Sequence, residues 1–167
     1  MKKLVFRLFI VLFAVILGAC AQATSQPADE MIDPGDKVGD FLITTGDNEG
    51  VSFKSKFDCV EESTGKESCK YTVGTKVNVS LGFFDETNSG KLDTIWSEHT
   101  DEMVIEGRPV NLQAFGPIDN YHPTVGNMRY WNVVIVTDKP GEITTKHTGV
   151  VVGESFEWTT TFTFIAP

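Results

Sequence analysis

The segment Lys76–Phe84, KVNVSLGFF, constrains the fold more than any other part of this sequence. Apolar residues alternate along it with polar or small ones, and the apolar positions are Val77, Val79, Leu81 and Phe83. A period of two places alternate side chains on opposite faces of a strand. The pattern therefore predicts a strand with one buried face and one solvated face.

Strand-like runs recur along the chain, with turn signals between them at intervals of roughly ten residues. Residues 129–137 are apolar on both faces, which favours a central strand covered on both sides. Glu142–Val152 and Ser155–Ile165 predict a hairpin, and Pro109–Phe115 predicts a further strand. Asp93–Thr100 fits either a short helical turn or a surface crossing. About seven or eight strands and no convincing helix predict an all-β fold, an antiparallel β-sandwich.

Three C-terminal segments give the sandwich a closer resemblance. GRPVNLQAFG, RYWNVVIVTDKPGEI and the final WTTTFTF together resemble immunoglobulin-like domains of bacterial envelope proteins. The resemblance implies an immunoglobulin-like sandwich over roughly the last 90 residues. No Cys…Trp…Cys spacing would join two sheets here, as it does in antibody domains. A lipocalin-like barrel, which would need a ligand cavity, is the alternative fold.

The first twenty residues predict export and lipid anchoring. A cluster of Lys2, Lys3 and Arg7 precedes the apolar run Leu8–Leu17, which is too short for a bilayer span of about 20 residues. The sequence LGAC, which ends at Cys20, then resembles the lipobox of bacterial lipoprotein precursors. The resemblance implies cleavage before Cys20, a diacylglyceryl group on its thiol and, usually, an acylated amino group. Stable anchoring needs two or more acyl chains.

An ordinary cleaved signal followed by a chance cysteine is the alternative for this segment. Residue 21 is alanine, where the lipoproteins of well-studied two-membrane bacteria carry aspartate when they are retained on the inner membrane. The alanine leans towards the outer membrane, in an organism that has one.

The chain divides into three predicted parts. Residues 1–19 form the signal peptide, 20–37 the lipidated cysteine with a flexible tether, and 38–167 the sandwich domain. The tether is small, polar and punctuated by proline and glycine, so it lacks the apolar content to pack. The formal net charge of −9 argues against nucleic acid and against docking on anionic lipid head groups.

Two cysteines remain beside Cys20, and in an exported protein we expect Cys59 and Cys69 to pair. They flank EESTGKES, a polar run that predicts a hairpin tip. A metal clip or redox pair is the alternative. The spacing and the lack of a neighbouring histidine argue against it.

Two weak metal hypotheses arise, and no cofactor is predicted. Asp85–Asp93 loosely echoes a calcium loop, with Trp96 where the closing glutamate belongs, and a turn rich in Asx-type hydrogen bonds is the alternative. His99 and Met103 have a spacing seen in copper sites of β-sandwiches, where imidazole and thioether ligands select copper. Folding would have to bring up further ligands, for which the candidates are Met128, His147 and His122. Surface histidines and core methionines are the alternative.

Residues 116–127 form the longest irregular stretch after the tether, and such loops are often functional. Tyr121, His122 and Tyr130 are the predicted partner-binding residues. Aromatic side chains here, with Trp96 and Trp131, would suit sugar stacking or a protein partner. The alternative is that Trp131 and Trp158 fill the core.

No G-x-S-x-G or H-E-x-x-H motif and no phosphate loop occurs. The sequence therefore predicts a non-enzymatic envelope lipoprotein that displays an immunoglobulin-like binding or structural module. Its partners would be the lipid bilayer, through Cys20, and an envelope protein or glycan. The alternative is capture of copper, calcium or a small ligand. An enzyme without a recognisable motif is a remote third.

Overall fold

A computed structural model describes residues 30–46, 51–53, 59–85, 89–122 and 126–167 of the chain. The predicted signal peptide and Cys20 lie outside these residues, as do the centres of the predicted turns at 46–50 and 85–90. The described residues confirm an all-β, sandwich-like fold. They contain fourteen strands, many of them short, where the sequence predicted seven or eight. The immunoglobulin-like assignment stays a prediction.

Two helices interrupt the strands. In chain order the elements are β1 Lys37–Val38, β2 Phe41–Thr44, β3 Val51–Phe53, β4 Cys59–Ser63, β5 Lys66–Thr72, β6 Lys76–Asn78, β7 Gly82–Asp85, α1 Ser89–Glu98, β8 Thr100–Ile105, β9 Arg108–Pro109, α2 Leu112–Phe115, β10 Pro117–His122, β11 Gly126–Trp131, β12 Val134–Val136, β13 Gly141–Val151 and β14 Glu154–Ile165.

The strands form three sheets. A five-stranded sheet has the order β1-β2-β12-β6-β3, a six-stranded sheet β4-β5-β14-β13-β8-β9, and a three-stranded sheet β10-β11-β7. The pairs β14–β5 and β3–β6 are parallel, and the other strand pairs are antiparallel. The predicted C-terminal hairpin is confirmed, because β13 and β14 pair from Gly141↔Phe164 to Val151↔Glu154.

The core lies between the five- and six-stranded sheets. Phe41 of β2 packs against Phe164 of β14 with ring centroids 5.7 Å apart. Their neighbours are fully buried apolar side chains, which include Ile43, Val77, Ile135, Ile143 and Phe162. Burial of such side chains contributes about 1.5–3 kcal/mol each, so this apolar layer holds the two sheets face to face.

Two predicted strands are each broken into two, at neighbouring points. Lys76–Phe84 becomes β6 and β7, and residues 129–137 become β12 and part of β11. At the break, the Asn78 amide and the Ser80 hydroxyl both donate to the carbonyl oxygen of Trp131. The paired chains thereby turn a corner together, so that β6 and β12 share one sheet and β7 and β11 another.

The prediction of no convincing helix was wrong at residues 89–98. In α1, Leu92 is buried and Ile95 and Trp96 are half-buried. These positions follow the three- and four-residue spacing of one helix face. The predicted strand Pro109–Phe115 is also wrong, because only Pro109 lies in a strand, β9, while Leu112–Phe115 form α2 with Leu112 and Phe115 buried.

The irregular stretch predicted at 116–127 is largely a hairpin. β10 and β11 pair in register from Pro117↔Trp131 to His122↔Gly126. Their cross-strand partners include Asp119 and Arg129, an opposite-charge pair that favours this register.

Packing extends N-terminal to Val38. Ile32 is fully buried and forms a parallel bridge with Val110. Its backbone N–H donates to the Pro109 carbonyl at 2.8 Å, and its own carbonyl accepts from Asn111 N–H at 3.0 Å. Ile32 therefore belongs to the packed body.

Candidate functional site

The described side chains of the copper hypothesis do not form a metal site, because they lie apart or already contact other groups. The ring of His99 follows α1 and packs on Phe83 and Trp96, with centroid distances of 4.7 and 4.5 Å. Met103 is buried on β8, directly opposite the buried His147 on β13. The two His147 ring nitrogens lie 3.2 Å from Asp101 Oδ1 and from the Val79 carbonyl oxygen. This ring therefore offers no free nitrogen beside the Met103 sulfur.

The described residues of the calcium hypothesis do not form a calcium-binding loop either. Asp85 ends β7, and residues 86–88 and the Asp85 side chain lie outside the description. Asp93 sits within α1, where its carboxylate accepts a 2.8 Å bond from Arg129 Nη1. A helical residue paired with arginine is poorly placed to close a calcium loop.

The predicted disulfide is confirmed. Cys59 of β4 and Cys69 of β5 are directly opposite one another and bonded. With Glu67 they form a trio of potential metal ligands among the described residues. Thiols joined in a disulfide do not ligate metal, and the Glu67 carboxylate accepts a 2.7 Å bond from the Thr160 hydroxyl. While the disulfide is formed, Cys59 and Cys69 are therefore a structural cross-link.

The predicted partner-binding aromatics do not share a surface. Tyr121 is 66 % exposed and Tyr130 only 3 %. Tyr121 pairs with Asn127 and Tyr130 with Ile118, positions that put the two rings on opposite faces of the sheet. Burial raises the pKa of the Tyr130 hydroxyl, and a hydrogen bond with Asn120 partly offsets that effect. His122 ends β10, and its side chain lies outside the described residues.

Trp131 belongs to the interior, as the alternative reading proposed. It is 7 % exposed and packs against Trp96 of α1, with tilted rings whose centroids are 5.0 Å apart. Trp158 is half-buried on β14. Neither indole forms an exposed platform for sugar stacking.

Arg129 holds α1 to the three-stranded sheet. Its Nη2 donates to Asp119 Oδ2 at 2.8 Å, its Nε donates to the other oxygen of Asp119, and its Nη1 donates to Asp93. The hydrogen bonds to Asp119 are the main cause of a raised Arg129 pKa, and the same bonds lower the pKa of Asp119. The guanidinium also lies 5.8 Å from the Trp96 ring centroid. Each of its three nitrogens thus donates to one of these two carboxylates.

A strained valine occupies the tip of the longest hairpin. Val151 of β13 is opposite Glu154 of β14, so Val152 and Gly153 form a two-residue turn. Their φ angles are +51° and +81°. Hairpin turns of this geometry favour Asn, Asp or Gly, and positive φ is an outlier for a β-branched residue. Val152 is also 65 % exposed. The turn thus presents an apolar side chain to solvent at a conformational cost.

An open crevice adjoins this tip, and we call it the tip crevice. One wall is the segment 81–83, which leads into β7, and the other is formed by Val151, Val152 and residues 154–156. Its volume is about 620 Å³, within the range of ligand-binding clefts. Leu81, Phe83, Val151 and Phe156 are its half-buried apolar side chains. Such a crevice can take up a bulky apolar group from outside.

Buried polar contacts fix the first wall. The Val79 carbonyl accepts from the His147 ring, and the Val79 N–H donates to the Val133 carbonyl at 3.0 Å. Ser80 N–H donates to the Asn78 side-chain oxygen at 3.0 Å. The segment that forms the wall therefore follows directly after residues held by buried hydrogen bonds. This rigidity favours a preformed site.

Sequence reasoning missed this site. It placed the hairpin turn at Gly153–Glu154, one residue late, and so treated Val152 as an ordinary strand residue. The only available signal was a valine before glycine where the chain reverses, and that pair fits a strand end equally well.

Comparison with known proteins adds no functional assignment. No protein-family model matches the sequence, and a search of curated proteins finds no match. Among solved structures, the crystal structure of the cysteine protease inhibitor EhICP2 from Entamoeba histolytica aligns with 69 % of this chain and 96 % of that one, at 10 % identity and a TM-score of 0.34. That likeness is too distant to carry an argument. No helix among the described residues is long and apolar enough to cross a membrane.

Proposed function

We propose that this protein is a lipid-anchored envelope lipoprotein whose sandwich domain is a non-enzymatic binding module that engages a partner at the β13–β14 tip. The observation that carries the proposal is the exposed valine held at positive φ beside the tip crevice. Strained residues persist where the structure over-determines them, and they cluster at functional sites. The lipobox-like sequence at Cys20 supports the anchor.

The position of the tip suits a tethered module. Glu30, two residues before the buried Ile32, lies beside β9, and its carbonyl accepts a bond from Arg108. Arg108 is opposite Ile105, which is opposite Thr145 on β13. The strand continues from Thr145 to Val151 over roughly 20 Å, at about 3.3 Å per residue. The tip is therefore well separated from the end that would join the anchor.

Site-specific photocrosslinking in intact cells tests the binding function. A benzophenone amino acid replaces Val152, and a matched variant carries it at Val60, which is equally exposed at 68 % but lies on β4 at the far edge of the six-stranded sheet. We expect a discrete crosslinked protein from position 152 and none from position 60. Adding Phe156→Ser should abolish the crosslink. Equal labelling at both positions, or none at 152, contradicts the proposal.

The anchor has a separate test. Cys20→Ser should abolish acylation and leave the signal segment uncleaved by the lipoprotein peptidase. Mass spectrometry of the wild-type N-terminus should show an acylated Cys20. An unmodified cysteine there would remove the lipoprotein part of the proposal.

A further inference from the structure

We infer that the tip crevice binds an extended peptide segment of the partner protein, which adds as a strand beside β7 and inserts an apolar side chain, with a basic residue next to it. The inference rests on the proposed binding function and names the chemistry of its partner. Three features of the crevice carry it: two unpaired strand edges, an apolar floor and an unmatched carboxylate.

The crevice runs along strand edges. In the described residues β7 pairs with β11 on one side only, and β14 pairs with β5 only from Thr159 onward. Among the described residues Glu154–Phe156 therefore has one open edge, while Gly65 of the β4–β5 turn lies against Glu157. Successive residues of a strand point to opposite faces, yet both Gly82 and Phe83 line the crevice, as do Glu154, Ser155 and Phe156. When consecutive residues line the same crevice, their backbone lies at its wall. An added strand could therefore pair with the backbone N–H and C=O groups there.

The floor suits one bulky apolar side chain. Phe156 is opposite Gly149 on β13, and its Cε1 lies 2.9 Å from the position that a Cβ on Gly149 would take, which the Thr100 carbonyl oxygen approaches still more closely. The absent side chain lets the Phe156 ring lie low at the open end of the sandwich. Leu81 and Phe83 face it from the other wall. A partner side chain inserted here would be enclosed by apolar groups from both layers, as binding hot spots are.

Charge selects the flanking residue. Glu154 lines the crevice and is exposed, and its carboxylate has no ion pair among the residues that the structure describes. The described residues that line the crevice include no lysine or arginine, and the whole chain carries a net charge of −9. Complementary charge speeds association and suppresses wrong partners. A peptide with lysine or arginine beside its apolar anchor therefore fits, and an acidic one does not.

A peptide-display selection tests the inference. The full-length protein, purified in detergent, is screened against a random 12-residue library, with counter-selection on the Phe156→Ser variant. The best peptide is then synthesised in three forms: unmodified, N-methylated at odd positions, and N-methylated at even positions. N-methylation removes backbone donors without changing the side chains, so it isolates strand pairing from apolar contact.

We expect enriched peptides to carry a bulky apolar residue within two positions of lysine or arginine. At least one N-methylated form should bind ten or more times more weakly. Glu154→Lys, an exposed change that spares the core, should weaken binding at least threefold in low salt and less in 0.5 M salt. Resonances of Gly82 and Phe83 should shift on binding, and those of Val60 should not.

Three results would overturn the inference: no enrichment over the counter-selection, full affinity in both N-methylated forms, or selection of acidic peptides. Binding of envelope oligosaccharides at the crevice without any peptide binding would also overturn it. In each case a crosslink from position 152 would leave the proposed binding function standing. Loss of that crosslink would remove both.

Discussion

The imidazole of His147 and the carboxylate of Asp101 form a pair in the interior, 3.2 Å apart, with side-chain exposures of 1 % and 3 %. The second ring nitrogen faces the Val79 carbonyl. Both ring nitrogens therefore face oxygen acceptors, one of which is a carboxylate oxygen. The pair joins the six-stranded sheet to the β6–β7 connection, and so to one wall of the tip crevice.

Removal of one partner should destabilise the fold strongly. Asp101→Ala removes the partner of a buried ring nitrogen, and a buried polar group left without its hydrogen bond costs about 1–3 kcal/mol. Urea unfolding measures the change in the free energy of unfolding. The control is Asp40→Ala, which breaks the exposed pair with Lys139 and should cost under about 1 kcal/mol. A cost for Asp101→Ala no larger than that of the control would show that the buried contact contributes little to stability.

The Asp119–Arg129 pair should make a small part of the stability depend on pH. The hydrogen bonds from Arg129 lower the pKa of Asp119, so its contribution is present above the pKa of the unfolded carboxyl and is lost as the pH falls through the lower folded pKa. Asp119 is 64 % exposed, and solvent screening limits the effect to about 1 kcal/mol or less.

The test compares urea midpoints of the wild type and Asp119→Asn at several pH values. We expect the wild type to be the more stable at pH 7 and the difference to disappear as the pH falls through the lowered folded pKa of Asp119, because both side chains are then uncharged. A difference that persists unchanged at low pH would assign the effect to packing. Glu142→Gln, on another exposed strand position, is the control.

Reduction of the Cys59–Cys69 bond should lower the free energy of unfolding by about 2–3 kcal/mol, since the bond closes a short loop in the unfolded chain. The double variant Cys59→Ser/Cys69→Ser should match the reduced wild type. Unfolding with and without a phosphine reductant measures both. If the fully reduced wild type were as stable as the oxidised protein, the β4–β5 hairpin would contribute nothing to the cooperative unit.

Strand existence could be predicted from the sequence far better than strand ends. The alternation in Lys76–Phe84 and the apolar run at 129–137 did locate strands, but neither pattern indicated that the chain turns a corner within it. A period of two marks Asn78 and Ser80 as solvent-facing, whereas the structure buries both against the Trp131 carbonyl. Polarity alone does not distinguish a residue that faces water from one that satisfies a buried backbone group.

The disulfide was predictable because spacing and compartment constrain it directly. The tip crevice was not, because it depends on backbone φ at one residue and on which strand edges stay unpaired. The hairpin between β10 and β11 shows the same limit. Its strands carry polar residues such as Asp119 and Asn120, so local composition favoured a loop, and cross-strand pairing with Arg129 and Met128 decided otherwise.

Val152 should trade stability for binding. The chain makes a second two-residue turn with the same φ signs at Glu106–Gly107, with angles of +48° and +80°. There the carboxylate of Glu106 accepts a 2.6 Å bond from the Thr144 N–H, which supports the strained residue. Val152 has no polar side chain to make such a bond. Positive φ costs a non-glycine residue about 1–2 kcal/mol, and Asn and Gly tolerate it better.

Val152→Asn should therefore raise the free energy of unfolding by about 0.5–1 kcal/mol and weaken partner or peptide binding at least fivefold. Glu106→Asn is the matched control: it removes the bond to Thr144, so we expect no gain in stability, and it lies far from the tip, so binding should not change. Urea unfolding and binding titrations on the same preparations measure the two effects. The proposal requires the partner to contact the valine side chain. If Val152→Asn gained stability and kept full affinity, neither that side chain nor the strain at the tip would have a role in recognition.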